Sequence, residues 1–291
     1  MSAFDRAVLL DPRYAAAYSQ QARVLDYLAI FVAKPEERAG FQKRAYEAAQ
    51  RAVELAPEFG EARAELGQVL AYALFDYRRA LLEFDQALAL APGSARVQAA
   101  AAGFYSNLGL FDRGIMAARR AVRLDPQNYQ THVTLGFVLH DARHYDDAIL
   151  ALQHAEMLNP KSHYAQSWLV EAMLASGQTE HARQRCELDS TPLDQDTRHE
   201  CLAIAYHALG LKAVAEEELA QMMAQNGDRL ALNYAGIYAQ WGNTATALKW
   251  LSKAERLHDP LFQQLKVWWE LDPIRQEPEF KAVEARMNFP K

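Results

Sequence analysis

The chain has 291 residues, 51% of them hydrophobic, with 13 glycines, 11 prolines and a formal charge of −6. That composition is too apolar for disorder and too acidic for a protein that grips a nucleic-acid backbone by charge. There is no run of 18 apolar residues, no basic-then-apolar leader at the start, and only two cysteines, so neither a membrane span nor a secretory signal is predicted and a reducing, cytoplasmic setting is expected.

Residues 1–12 end in Ala7, Leu10, Asp11 and Pro12, which match Ala121, Leu124, Asp125 and Pro126 further on. They read as the second helix of a truncated repeat, cut from a longer protein, with a natural capping helix as the alternative. A first unit follows over 13–57, with Tyr18, Ala22 and Leu25 on one helical face and Ala45, Ala49 and Ala52 on another. It is longer than the later units, and Lys34-Pro35-Glu36-Glu37 should break and restart a helix inside it.

From there the pattern becomes regular. Pro92, Pro126 and Pro160 recur at intervals of 34 residues, and Ser94, Asn128 and Ser162, all good helix N-caps, follow two places after them. Two amphipathic stretches per fixed period are the sign of a helical solenoid. The units run over 58–92, 93–126, 127–160, 161–194, 195–227 and 228–260. The fifth decays around Cys186 and is stopped by Pro192, predicting a short second helix. Beyond Pro260 the repeat ends, and 261–291 should form capping helices, with Trp268 or Trp269 over the open face of the seventh unit.

The markers of the fourth unit are Leu135-Gly136, Tyr145, Ala148, Leu152, Ala155 and Pro160. With their counterparts Leu66-Gly67, Ala80, Phe84 and Ala87, they make the chain resemble the tetratricopeptide repeat (TPR) family. The resemblance implies an all-α, right-handed α-solenoid of about seven helical hairpins with a C-terminal helical cap. Small residues at the Gly67, Gly136, Ala80 and Ala148 positions would let the helices of a hairpin approach closely, and Leu135, Tyr145 and Leu152 would fill the gaps between hairpins. The ending Leu271-Asp272-Pro273 to Pro278-Glu279-Phe280 resembles that of TPR regions attached to bacterial adenylate cyclases and winged-helix regulators.

In that family the first helix of each hairpin lines a concave groove. The inward positions here are Arg23, Tyr27, Gln68, Tyr72, Asn107, Phe137, His140, Tyr164, Glu171 and His207, a mixed aromatic and polar lining; Tyr72 and Phe137 could equally pack between hairpins. The family's two-carboxylate clamp needs lysines, whereas the corresponding positions carry Ala64, Gln68, Ala99 and Gly103, so a clamp-type co-chaperone is disfavoured.

Motifs for chemistry are scarce. Gly103, Gly109 and Gly114 sit between helices, not after a strand, so they form no phosphate loop. His140 and His144 have a helical metal-ligand spacing but no completing ligand, and read as solvated surface histidines. Cys186 takes the place of Leu152 and reads as a small buried apolar residue; a disulfide with Cys201 on the next helix is disfavoured in a reducing compartment. Arg113, Arg119, Arg120 and Arg123 lie on a second helix, offset by Glu83 and Asp85, and read as a solvated outer face. No nucleophile, base and orienting group recur together, so neither an enzyme nor a cofactor or metal site is predicted. The expected function is binding of a protein or peptide, without nucleic acid or membrane and with self-association left open. The chain would be the sensing or scaffolding part of a larger bacterial regulator. The alternatives are an autonomous scaffold for multiprotein assembly, or the substrate-recognition region of an enzyme whose catalytic domain lies elsewhere.

Overall fold

The computed structural model describes residues 3–290. All its regular structure is helical. A short helix, α1 (Ala3–Leu10), precedes seven helical hairpins. They are α2 (Ala15–Tyr27) with α3 (Pro35–Leu55), α4 (Gly60–Tyr72) with α5 (Tyr77–Leu90), α6 (Ala95–Asn107) with α7 (Phe111–Leu124), and α8 (Tyr129–Asp141) with α9 (Tyr145–Leu158). Then come α10 (His163–Ala175) with α11 (Thr179–Glu187), α12 (Gln195–Ala208) with α13 (Lys212–Asn226), and α14 (Ala231–Gln240) with α15 (Thr244–Arg256). A last helix, α16 (Pro278–Arg286), follows two 3₁₀ turns at Pro260–Gln264 and Trp269–Ile274.

Local signals account for most of these boundaries. The N-cap side chains of Ser94, Asn128 and Ser162 accept hydrogen bonds from the backbone N–H of Val97, Gln130 and Ala165. Each such cap stabilises its helix by about 1 kcal/mol. Pro35 opens α3 at its first turn, while α2 runs on through a π-helical turn at Leu28–Val32. The extra length of the first unit therefore becomes two long helices, α3 having 21 residues. In the fifth hairpin α11 has only 9 residues, as the loss of periodicity predicts.

Steric fit holds each hairpin shut. A Cβ added to Gly136 would lie 2.4 Å from Leu152 Cγ, and one on Gly67 would lie 3.0 Å from the Phe84 ring. Rings fill the seams between hairpins: Phe84 stacks on Phe104 at 4.6 Å, and Phe137 on Trp168 at 5.3 Å. Successive first helices pack on one another, so α2, α4, α6, α8, α10, α12 and α14 form the inner layer. The second helices form the outer wall.

Two expectations need correction. Cys186 and Cys201 are joined in a disulfide between α11 and α12. The truncated α11 brings Cys186 beside the buried face of α12, and the reducing setting inferred from cysteine scarcity loses its support. The second correction concerns 261–291, which does more than cover the seventh hairpin. Phe262, Leu265, Leu271, Ile274 and Phe280 do share an apolar cluster with Leu232, Ala235 and Leu251 of α14 and α15. The segment then turns back across the concave side to reach the second, third and fourth hairpins.

Candidate functional site

The concave wall is built around that returning segment. Pro260–Gln264 lies against α4, and Asn107 Nδ2 donates to Gln263 Oε1 at 3.1 Å. Lys266 Nζ donates to the Leu108 carbonyl at 3.0 Å, and Arg143 donates to Val267 O at 2.8 Å and to Asp272 at 2.7 Å. Phe289 stacks on Tyr77 at 4.7 Å. On the seventh hairpin, Gln240 Nε2 donates to the Glu270 carbonyl. A Cβ on Gly236 would lie 2.8 Å from Glu270 Cβ, so glycine is what lets the segment approach α14.

Arg143 shows how closely the solenoid is adapted to this return. The turn between the two helices of a hairpin uses a left-handed residue, which is Gly109, Gly177, Gly210 and Gly242 in four of the hairpins. The fourth hairpin places Arg143 there, at φ 65°. A side chain in that region costs about 1–2 kcal/mol. What is gained is a guanidinium that holds two points of the C-terminal segment.

The ten inward positions divide into covered and open groups. Asn107 is covered, donating to Gln263, while Tyr72 is half-buried on α4 and burial raises its pKa. Phe137 packs between hairpins, against Trp168 and into the space left by Gly103. His140 is not the solvated surface histidine expected of it. It is 2% exposed, with Nδ1 3.3 Å from Asp141 and its ring against Tyr145 and Trp168, because it ends α8 beneath the next hairpin. His144 is exposed. The open group contains Arg23 and Tyr27 on α2, and Tyr164 and Glu171 on α10. Tyr164 is 46% exposed and meets Trp168 edge-on. Gln68 is half-buried, and half-buried His207 stacks on Trp241 at 5.0 Å.

The inner wall is also more acidic than its hydrogen-bonding character predicted. Glu200 on α12 disfavours the charge of both Glu171 and Glu270 on the returning segment, and Glu171 that of Glu270. Burial first, and then Glu200, Asp141 and Asp194, raise Glu171 well above the usual carboxylate range. Burial, followed by Glu171 and Glu200, does the same for Glu270. Burial pushes Glu200 up to about 7, although Asn233 Nδ2 donates to both its oxygens at 3.1 and 3.0 Å. Nearer the N-terminus, burial and then Glu65 push Asp26 up to about 7.

Glu200, Asn233 and Glu270 were missed because each reads as an ordinary surface polar residue. One signal bears on the first two: Glu200 and Asn233 are 33 residues apart, about one repeat, which places them near one another on successive inner helices. The outer wall has its own open cleft of about 390 Å³, lined by Met116, Arg119, Arg123 and His144 among others, away from these groups.

Comparison with known proteins agrees with this architecture. Residues 95–128 match the tetratricopeptide repeat family. No protein of curated function matches the sequence. Among solved structures, the APC/C hetero-tetramer Cut9-Hcn1 superposes with a TM-score of 0.64 at 15% identity, over 98% of this chain and 51% of that one. A tetratricopeptide repeat protein from Parabacteroides merdae gives 0.58 at 15% identity, over 87% and 100%. The human IFIT1 dimer with PPP-AAAA gives 0.56 at 16% identity, over 87% and 67%. At these identities the likeness is one of fold: the chain is an all-α TPR-type solenoid.

Proposed function

We propose that the chain is a binding module, not a catalytic one, and that it takes a peptide or protein segment along the part of the concave wall its own C-terminal segment leaves open. The observation that carries this reading is Tyr164. A ring 46% exposed on a concave inner helix and edge-on to Trp168 combines apolar area with a polar tip. Tyr72 is withdrawn from the anchors, since it is half-buried on α4, against which Pro260–Gln264 lies.

The wider role follows the same reasoning. The chain acts as the sensing or scaffolding part of a larger regulator of bacterial type, in keeping with its resemblance at Leu271 to Phe280 to the endings of such TPR regions. Those residues also have a packing role, Leu271 and Phe280 being buried and Asp272 paired with Arg143 and Arg275. An autonomous scaffold is the second reading, and the full-length gene separates the two. The Cys186–Cys201 bond favours an oxidising compartment over the cytoplasm.

The test is capture of partners from the source organism on wild-type protein beside Tyr164→Ala and Arg23→Ala. An exposed anchor should lose about 2 kcal/mol of binding on truncation while helicity and melting temperature stay close to wild type. If both folded variants retain every partner at wild-type strength, the concave wall is not the binding surface.

A further inference from the structure

The acidic part of the concave wall asks for a particular chemistry in its ligand. It is made of Glu171 on α10, Glu200 on α12 and Glu270 on the C-terminal segment, with Asp141 of α8 nearby. Among the described residues, no lysine, arginine or histidine makes an ion pair with any of the three glutamates. Arg143, whose charge eases Glu270, is already bonded to the carbonyls of Asp141 and Val267 and to Asp272. Asp141 is also engaged, by Ser106 Oγ at 2.8 Å and by His140.

A second observation points the same way. Glu270 is 2% exposed, and its Oε2 has no hydrogen-bond partner. Asn233 is 9% exposed; its amide nitrogen serves Glu200, while its buried Oδ1 has no partner. Asn233 Oδ1 is an acceptor, and Glu270 Oε2 is one when its carboxyl is ionised. Buried polar atoms without partners are costly, and a bound group that supplies the missing donor is one way a native protein satisfies them. Glu171 is only half-buried, which leaves it an approach from solvent, about two helical turns along α10 from the exposed ring of Tyr164.

We propose that this corner of the wall receives one basic side chain, an arginine or a lysine, from the bound peptide. The cation would lie among Glu171, Glu200 and Glu270 and donate to the free acceptors of Glu270 and Asn233. The assignment rests on the concave-wall reading above and adds the identity of the anchor. It is the opposite in charge of a clamp for carboxylates. Grouping these carboxyls disfavours their ionised forms, and an entering cation would favour them again.

The experiment is selection from a random-sequence peptide library on the full chain, followed by affinity measurement of one selected peptide on wild type, Glu171→Gln and Glu200→Gln. Glutamine keeps the volume and removes the charge, and circular dichroism checks that the variants fold. The selected peptides should share an arginine or lysine. Replacing it with citrulline or acetyl-lysine should weaken wild-type binding by about tenfold or more. The same replacement should change little on the double variant Glu171→Gln/Glu200→Gln. Peptides that bind but show no basic position, or a basic position equally important to wild type and double variant, would overturn the anchor and leave the concave-wall reading standing. A library from which nothing is retained would remove both.

Discussion

Gly136→Ala should destabilise the protein even though alanine is the better helix former, and the structure supplies the magnitude. Gly136 lies inside α8, where alanine would gain about 1 kcal/mol in propensity. Its Cβ would sit 2.4 Å from Leu152 Cγ and 2.7 Å from Cδ2, and Leu152 is fully buried with nowhere to retreat. Overpacking of that kind costs about 1–3 kcal/mol, and at this distance the upper part of the range applies. The net loss should be about 1 kcal/mol or more, lowering the melting temperature by about 2–4 °C per kcal/mol. Gly40 in α3 is the control: it is exposed, and nothing lies within 4 Å of its would-be Cβ. Gly40→Ala should therefore stabilise, by up to about 1 kcal/mol. In a Leu152→Ala background the clash is gone, and Gly136→Ala should change sign and stabilise as well. Thermal and urea unfolding of the four variants decide it. Should Gly136→Ala raise the melting temperature in the wild-type background, the register of α8 against α9 is wrong.

Three more expectations follow from the corrected features. Reducing the Cys186–Cys201 bond, which closes a separation of 15 residues, should cost about 3 kcal/mol; urea unfolding with and without dithiothreitol measures it. Arg143→Ala should lose the bonds to Val267 and Asp272 and keep the left-handed strain, whereas Arg143→Gly loses the same bonds and relieves it. The glycine variant should thus be the more stable of the two by about 1 kcal/mol, and equal stability would deny the strain. Asp26 has its folded pKa raised from 3.8 to about 7, so the native state binds the extra proton between those values and stability falls as pH rises through them. The full displacement corresponds to about 4 kcal/mol as an upper bound, and Asp26→Asn should flatten that slope in unfolding measured from pH 4 to pH 8.

Most of the solenoid was legible in the sequence because its interactions are short in range. A cap such as Ser94, a close approach such as Gly136 on Leu152, and a turn at Gly109 are each settled within one period, and repetition shows them several times over. The concave site was not legible for the opposite reason. The hydrogen bonds that place the C-terminal segment join residues 124 to 158 apart, from Arg143 to Val267 and from Lys266 to Leu108, and no periodicity reports them. Arg143 did stand where its neighbours carry glycine, but a departure from the repeat signals a special position without saying what it touches. The acids were hidden for a third reason. Glutamate on a helix is ordinarily a solvated residue, and only the curvature that brings α10, α12 and Glu270 together sets these acids against one another.

That curvature also decides what the returning segment is. A strap that merely occupied the groove could be displaced by a partner. This one is continuous with the last hairpin: Phe262, Leu265, Leu271, Ile274 and Phe280 complete the apolar cluster of α14 and α15 and are at most 2% exposed. Each such side chain is worth about 1.5–3 kcal/mol of burial, and releasing the segment would bare Leu232 and Leu251 as well. A solenoid end left with that face open would associate through it. A peptide held at micromolar strength supplies about 8 kcal/mol in all. Five large side chains and the face they cover outweigh that, so the segment stays when a partner arrives. It is then a fixed wall of the site, narrowing the groove at Tyr72 and Asn107 and contributing Glu270 to the acidic corner. On the proposed reading, a partner meets a wall that the repeats alone do not form.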